Sequence, residues 1–123
     1  PGARPPPPRA RPACPMGALN SDGGCLDARI CISCMTIEHR GTLPDIVAQR
    51  LGNRVYGCDE CQKACPHNRF SSPTEIEEFS PSDEFLALND ETMAGRQFRR
   101  SAVKRAKYAG LMRNFEAMRK YKK

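Results

Sequence analysis

The sequence contains no tryptophan, and aromatic residues make up only 7% of its 123 positions. Hydrophobic residues of all kinds account for 39%, so the chain has little apolar surface to bury. Small domains with modest cores usually depend on a metal centre or on disulfides for stability. The composition therefore predicts that something other than a large core holds this chain together.

Long apolar segments are also missing. No run of about 18 apolar residues is present, which argues against a transmembrane helix. Residues 1–15 lack the apolar centre of a secretory signal peptide. We therefore expect a cytoplasmic protein with no membrane contact. Neither a glycine-rich phosphate loop nor a Ser/His/Asp arrangement is found, so the sequence gives no sign of the catalysis that those motifs support.

Two segments each carry charge of almost one sign. Residues 74–92 contain seven acids and no Lys or Arg, whereas residues 96–123 contain eleven Lys or Arg and a single acid, Glu116. A basic end on an otherwise near-neutral chain favours a polyanionic partner such as nucleic acid. A solvated helix face without a partner would show the same pattern, so both interpretations stay open.

Cysteine, in contrast, is abundant, with seven residues. An odd number argues against a closed set of disulfides, and reduced thiols in a cytosol are available to bind metal. The strongest pattern is GCDECQKACP at residues 57–66, which matches the C-x2-C-x3-C-P end of a bacterial ferredoxin motif. Cys14-Pro15 is a second Cys-Pro pair of the same type.

In two-cluster ferredoxins, the cysteine before that proline serves the other cluster. The pattern therefore predicts one complete ligand set for a 4Fe–4S cluster, formed by Cys14, Cys31, Cys58 and Cys61. Cys65 would be a ligand of a second cluster whose remaining ligands are not evident in this sequence.

Zinc is the main alternative metal. The pairs Cys31-x2-Cys34 and Cys58-x2-Cys61 have the spacing of zinc knuckles, although they lie further apart than is usual. A zinc site would leave both Cys-Pro pairs unexplained, so we favour iron. Cys25 and Cys34 are expected not to be cluster ligands.

The chain divides into three segments. Residues 1–13 consist only of Pro, Ala, Arg and Gly, which predicts a disordered basic arm, or else the junction of a truncated or frameshifted gene. Residues 14–72 form the cysteine-bearing lobe. Residues 73–123 form a basic helical segment, so we expect a mainly α fold with irregular loops.

Helices are predicted from capping residues and apolar spacing. In the lobe, residues 28–38 and 43–51 are the best candidates. In the last segment, Ser80 and Pro81 would begin a helix that ends near residue 88, and Asn89 would cap another that ends near residue 98. Ser101 would cap a third helix that runs to Asn114 or beyond.

Four stretches resemble the epoxyqueuosine reductase family: residues 14–19, 27–38, 52–68 and 98–114. The run GNRVYGCDECQKACP within the third stretch is the most specific, because generic ferredoxins do not carry it. The chain is similar to the C-terminal part of these enzymes over roughly residues 14–115.

This resemblance implies a ferredoxin-like lobe followed by a remnant of HEAT-like helical repeats. The complete family enzymes reduce epoxyqueuosine to queuosine in tRNA with cobalamin and two 4Fe–4S clusters. The resemblance further implies a monomer that receives electrons from a donor such as flavodoxin or a ferredoxin reductase system. This chain would supply the electron-transfer lobe and part of the tRNA surface. Without the cobalamin domain and the catalytic acid, it is not expected to act alone.

The resemblance also implies roles for individual residues. Ser33 would lie near the cobalamin. The RNA-binding residues would be Glu38, Lys104, Arg105, Lys107 and Arg113. Two other functions are kept as alternatives: a stand-alone ferredoxin-like electron carrier, and a zinc-bound RNA-binding module.

Overall fold

The computed structural model describes residues 10–19, 25–81, 83, 98 and 101–122. Five α-helices have their bounds within these residues; α1 to α5 are Ala10–Ala13, Ile32–Ile37, Asp45–Ala48, Glu60–Lys63 and Lys107–Tyr121. Three 3-10 helices, η1 to η3, are Pro66–Phe70, Glu77–Phe79 and Ala102–Ala106. Extended pairing in this part of the chain is limited to an isolated antiparallel bridge between Leu19 and Leu26. The expectation of a mainly α fold with irregular loops is confirmed.

A small apolar core lies between α2 and α3. Its buried members are Ile32, Met35, Leu43, Val47, Ala48 and Leu51, with Met16, Cys58, Ala117 and Tyr121 packed around them. Helix α5 packs against α2, α3 and η3, and α1 packs against α4. The core is therefore directly adjacent to one of the predicted metal ligands, Cys58.

The two helices predicted in the lobe are shorter than expected. Helix α2 begins only at Ile32, because residues 27–31 form a turn in which the Cys31 and Ile30 amides both donate to the Asp27 carbonyl. Helix α3 begins at Asp45, with Pro44 at its N-cap in an extended conformation. Helix α2 thus starts later than predicted, and α3 ends earlier, at Ala48.

Ser101 caps a helix as predicted, and its hydroxyl accepts a hydrogen bond from the Val103 amide (3.3 Å). That helix is η3, however, and not one continuous α-helix. Lys107 has a φ of +59°, a value that residues other than glycine rarely adopt. This residue is the junction between η3 and α5. Helix α5 then continues to Tyr121.

Other predictions of the sequence fall at the margins of the described residues. The two helices expected between residues 80 and 98 lie outside them, apart from residues 80, 81, 83 and 98, and so do residues 1–9 of the predicted arm. The end of that arm, Ala10–Ala13, is helical, and Ala10 is buried. Within the described part, no helix combines the length and apolar character needed to cross a membrane.

Candidate metal centre

Four thiols from three separate stretches of the sequence line one small cavity. Its walls include Cys14, Cys31, Cys58 and Cys61, and its apolar lining comes from Pro15, Met16, Leu19, Leu26 and Ile32. Each of these cysteines is half-buried. The structure thus brings together the four residues predicted to form the complete ligand set, in surroundings that restrict water.

The Cys14 thiol is held by the loop that follows α1. The Ala18 amide donates to Cys14 Sγ (3.3 Å), and the Gly17 amide donates to the Cys14 carbonyl (3.1 Å). Gly17 has a φ of +62°, which glycine adopts at little cost. Arg50 fixes the same loop from outside by donating from Nη1 to the Pro15 carbonyl (2.6 Å).

The Asp27 turn places Cys31. The Asp27 amide donates to the Ala18 carbonyl (2.8 Å), which joins this turn to the Cys14 loop. The Asp27 carboxylate accepts hydrogen bonds from the side chain and the amide of Arg29, and these lower the pKa of Asp27 to about 2. Cys31 itself is the N-cap of α2, so its thiol lies at the start of a helix that leads into the core.

Cys58 and Cys61 flank the start of α4. Gly57, with a φ of +80°, precedes Cys58, and the Gly57 amide donates to Thr36 Oγ1 (3.0 Å). Asp59 is the N-cap of α4. A salt bridge between Arg54 Nη2 and Glu60 Oε1 (2.9 Å) holds α4 against the loop before it.

The titration behaviour of Cys61 reflects this convergence. Its pKa is raised by burial first, and then by the charges of Cys14 and Cys58. Metals bind cysteine as the thiolate. A bound metal centre would therefore offset the repulsion between these thiolates. The pKa of Cys34 is also raised, by burial and then by the charge of Cys31.

The cavity distinguishes the two predicted ligand sets. Its walls include Cys14 but not Cys34, which is the reverse of the zinc-knuckle expectation. In the described residues, no three His, Cys, Asp or Glu side chains converge on a position for a single metal ion.

Cys65 lies apart from this cavity. It borders a different, open depression, together with Lys63, Pro66 and Arg69. All seven cysteines fall within the described residues, and none is in a disulfide. Cys65 is therefore not among the residues that line the cavity of the other four, and its assignment to a second cluster stays a prediction.

A second surface lies between the end of α2 and the start of α5. The groove has a volume of about 390 Å³, and its polar lining includes His39, Arg40, Lys107 and Glu116. Lys104 and Arg105 are exposed on the adjoining η3. We call this surface, formed by Arg40, Lys104, Arg105 and Lys107, the basic rim.

The predicted RNA-binding residues do not all lie on the basic rim in the same way. Glu38 forms an ion pair with Arg105, so the predicted acidic residue lies directly beside a basic residue of the rim. Arg113 lies beneath the groove, where its guanidinium donates to the carbonyls of His39 (2.8 Å) and Gly41 (2.9 Å). Desolvation by burial lowers the pKa of Arg113, followed by the charge of Arg40. Arg113 is thus engaged within the protein.

Sequence reasoning did not predict the structural roles of three residues that matter to this geometry. Thr36 and Asn114 are fully buried, and Asp27 forms the turn that carries Cys31. The signal that could have found the turn is Asp27 itself, because an aspartate side chain often accepts from the amide two residues on, as it does here from Arg29 (3.0 Å). Ser33, predicted to lie near cobalamin, is half-buried on α2, and its carbonyl accepts from the Thr36 hydroxyl (3.2 Å).

Comparison with known protein families agrees with the cysteine geometry. Residues 11–68 match a family described as a 4Fe-4S double cluster binding domain. The match begins in α1 and ends after Cys65, so it contains all five cysteines that were assigned to clusters.

Curated relatives extend this likeness. The chain is 41% identical over 106 residues to an epoxyqueuosine reductase from Cyclobacterium marinum, covering 83% of this chain and 34% of that protein. It is 50% identical over 68 residues to the enzyme of the same name from Escherichia coli, covering 55% and 18%.

Solved structures give the same result. An epoxyqueuosine reductase from Bacillus subtilis matches with a TM-score of 0.71 and 31% identity, over 91% of this chain and 32% of that one. A structure of epoxyqueuosine reductase with a tRNA-Tyr epoxyqueuosine-modified stem loop matches with a TM-score of 0.72 and 31% identity, over 91% and 31%. The chain spans about a third of the length of these structures. The resemblance inferred from the motifs is confirmed in sequence and in fold.

Proposed function

We propose that this chain, whose sequence and fold correspond to part of an epoxyqueuosine reductase, supplies the electron-transfer lobe and part of the tRNA-binding surface of such an enzyme. The convergence of four cysteines on one cavity is the observation that carries this proposal. The family match to a 4Fe-4S double cluster binding domain and the relative bound to a tRNA stem loop support its two halves.

The four cavity cysteines, Cys14, Cys31, Cys58 and Cys61, would hold one 4Fe–4S cluster. The donor set fits, since such clusters are bound by four thiolates. When bound, the cluster would supply electrons one at a time at low potential to the reaction. The apolar lining would limit water near the sulfurs, and the Ala18 amide would stabilise negative charge on Cys14 Sγ.

Cys65 would be a ligand of a second cluster. Its position beside an open depression is compatible with further ligands from a portion of the complete enzyme that this chain does not span. We assign the cobalamin of the complete enzyme to the portion that this chain does not span, with Ser33 as its neighbour. The ferredoxin-like character of the lobe, the HEAT-like character of α5, a monomeric state and a flavodoxin or ferredoxin reductase donor belong to the same proposal.

The basic rim would contact RNA phosphates. Lys104, Arg105 and Lys107 are exposed there, and Arg40 Nη2 donates to the Arg105 carbonyl (2.9 Å), which fixes η3 to the end of α2. Glu38 would orient Arg105 at this surface. Arg113 would support the rim from below and would not bind phosphate, because three main-chain carbonyls occupy its donors.

The metal assignment is tested by anaerobic reconstitution of the full chain with iron and sulfide, followed by counting of iron and sulfide and by electron paramagnetic resonance after reduction. We expect a 4Fe–4S signal. Single Ser substitutions at the four cavity cysteines should each remove most of the iron, because a thiolate ligand is lost. Cys25→Ser and Cys34→Ser are the matched controls, since neither residue lines the cavity. Binding of zinc alone, or equal iron loss in the controls, would refute the assignment.

A further inference from the structure

Two polar side chains occupy the interior between the cysteine lobe and α5. Thr36 and Asn114 each have 0% of their surface exposed, and they are the two polar residues buried in the described part of the chain. Burial of a hydroxyl or an amide is costly unless hydrogen bonds replace those to water. The partners of these two groups therefore indicate what the burial achieves.

The Asn114 amide connects α5 to two segments of the lobe. Its Nδ2 donates to the carbonyls of Thr36 (2.9 Å) and Val55 (2.8 Å). Its Oδ1 accepts from Arg113 Nε (3.0 Å) and Nη2 (2.8 Å). Both hydrogens of the amide nitrogen are thus used. Together they hold the end of α2 to the segment that precedes Gly57.

The Thr36 hydroxyl extends this network to the metal centre. Thr36 Oγ1 donates to the Ile32 carbonyl (2.8 Å) and accepts from the Gly57 amide (3.0 Å). Gly57 is bonded directly to Cys58, and Ile32 directly follows Cys31. One hydroxyl therefore joins the neighbours of two of the four cavity cysteines.

We infer that Thr36 and Asn114 are positioning residues for the metal centre, which set the separation of Cys31 and Cys58 and link it to the docking of α5. This inference rests on the proposed function, because it requires that these cysteines bind a cluster. Partners that orient metal ligands from outside the coordination shell typically change metal affinity by about 10- to 100-fold when they are removed. Because the network crosses from α5 to both cysteines, anything that displaces α5 would also alter the centre.

The test compares three variants of the full chain after anaerobic reconstitution. Thr36→Val keeps the shape of the side chain and removes the hydroxyl, so the Gly57 amide loses its acceptor. Thr36→Ser keeps the hydroxyl. Thr42→Val makes the same chemical change at an exposed position and is the matched control.

We expect Thr36→Val to lower iron affinity in a chelator competition by about 10-fold or more, and to shift the midpoint potential of the iron that remains bound. Thr36→Ser and Thr42→Val should behave like the unmodified chain in both measurements. A purely structural role would lower the unfolding temperature without moving the potential, so the potential separates the two roles.

Asn114 is tested by amide hydrogen exchange. Metal loading should slow exchange in α5 of the unmodified chain, and Asn114→Ala should reduce this protection, because binding and docking are linked reciprocally. If the unmodified chain binds iron but Thr36→Val matches it in affinity and potential, the inference fails while the proposed function stands. If the unmodified chain binds no 4Fe–4S cluster, both fail.

Discussion

The Arg113 guanidinium provides five hydrogen bonds at the junction of the lobe and α5. Its nitrogens donate to the carbonyls of Met35, His39 and Gly41 and to Oδ1 of Asn114. These carbonyls lie at and beyond the end of α2, where helical partners are no longer available. A planar guanidinium can serve several of them at once, so this residue closes the end of the helix.

Replacement of Arg113 should therefore destabilise the fold. We expect Arg113→Met to lower the free energy of unfolding by about 2 kcal/mol, since hydrogen bonds from a charged donor contribute more than neutral ones and the carbonyls lose their partner. Arg113→Lys should recover only part of this, because an ammonium cannot reproduce the fork. Urea unfolding of the metal-free chain measures the change, with exposed Lys104→Met as the control for lost charge. Equal stability of the two Met variants would show that the hydrogen bonds contribute little.

Two glycines, one inside α5 and one in the loop after α2, should respond differently to replacement by alanine. Gly110 lies inside α5, and a Cβ built there would meet the Ala106 Cβ at 3.7 Å and Arg113 Nη2 at 3.9 Å, which are ordinary contacts. Gly41, at the end of the α2 loop, has a φ of +88°, where a side chain is strained. The same substitution should therefore have opposite effects in the two elements.

We expect Gly110→Ala to raise the free energy of unfolding by about 0.5–1 kcal/mol, since alanine loses less backbone entropy on forming a helix. Gly41→Ala should lower it by about 1–2 kcal/mol, because a Cβ is disfavoured at positive φ. Thermal unfolding of both variants under one set of conditions gives the comparison. Destabilisation by Gly110→Ala would mean that α5 packs more tightly than its contacts indicate.

How far the sequence could predict these elements depends on the kind of signal. The Ser101 cap follows from local chemistry, and it was predicted. The interruption at Lys107 was not, because no local pattern indicates a positive φ at a lysine. The hydrogen bonds that hold η3 come from Tyr56 and Arg40, which are distant in sequence. The spacing of the sequence also predicts one apolar face formed by Ala102, Ala109, Met112 and Phe115. Phe115 is buried and Met112 is half-buried, but Ala102 and Ala109 are exposed, so that face is only partly right.

Asn114 shows the limit of that reasoning more directly. Hydrophobic spacing treats asparagine as an exposed residue, whereas here it is buried because two carbonyls from other segments accept its hydrogens. The cysteines were easier to group, since their spacing within the Cys-Pro motifs reflects chemistry shared by many ferredoxins. Their convergence on one cavity depends on the Asp27 turn and the Gly57 bend. Gly57 stands in the predicted motif itself, whereas the Asp27 turn was not predicted.

At the scale of the whole molecule, the cavity and the basic rim are two ends of one connected unit. Helix α2 begins beside Cys31, and the rim begins where that helix ends. Tyr56 donates to the Ala102 carbonyl (2.6 Å), which fixes η3 to the loop before Cys58. A basic surface and a redox lobe joined by such short paths would keep an RNA substrate in a defined position relative to the centre.

The RNA surface makes a prediction for the whole chain. We expect Lys104→Glu and Lys107→Glu each to weaken binding of a tRNA anticodon stem loop. Each should also reduce the slope of log affinity against log salt by about 1, the value for one lost phosphate contact. Filter binding or fluorescence anisotropy across a series of salt concentrations measures both quantities. The slope is more informative than the affinity, because it reports how many phosphate contacts are lost.

Lys122→Glu is the matched control for net charge. It makes the same substitution just beyond the far end of α5, about 22 Å from Lys107 at the usual rise of an α-helix. If binding depended only on the overall field of the basic segment, all three variants would lose affinity and slope equally. A local contact at the basic rim requires instead that Lys122→Glu keep the slope of the unmodified chain, so an equal loss in all three would refute such a contact.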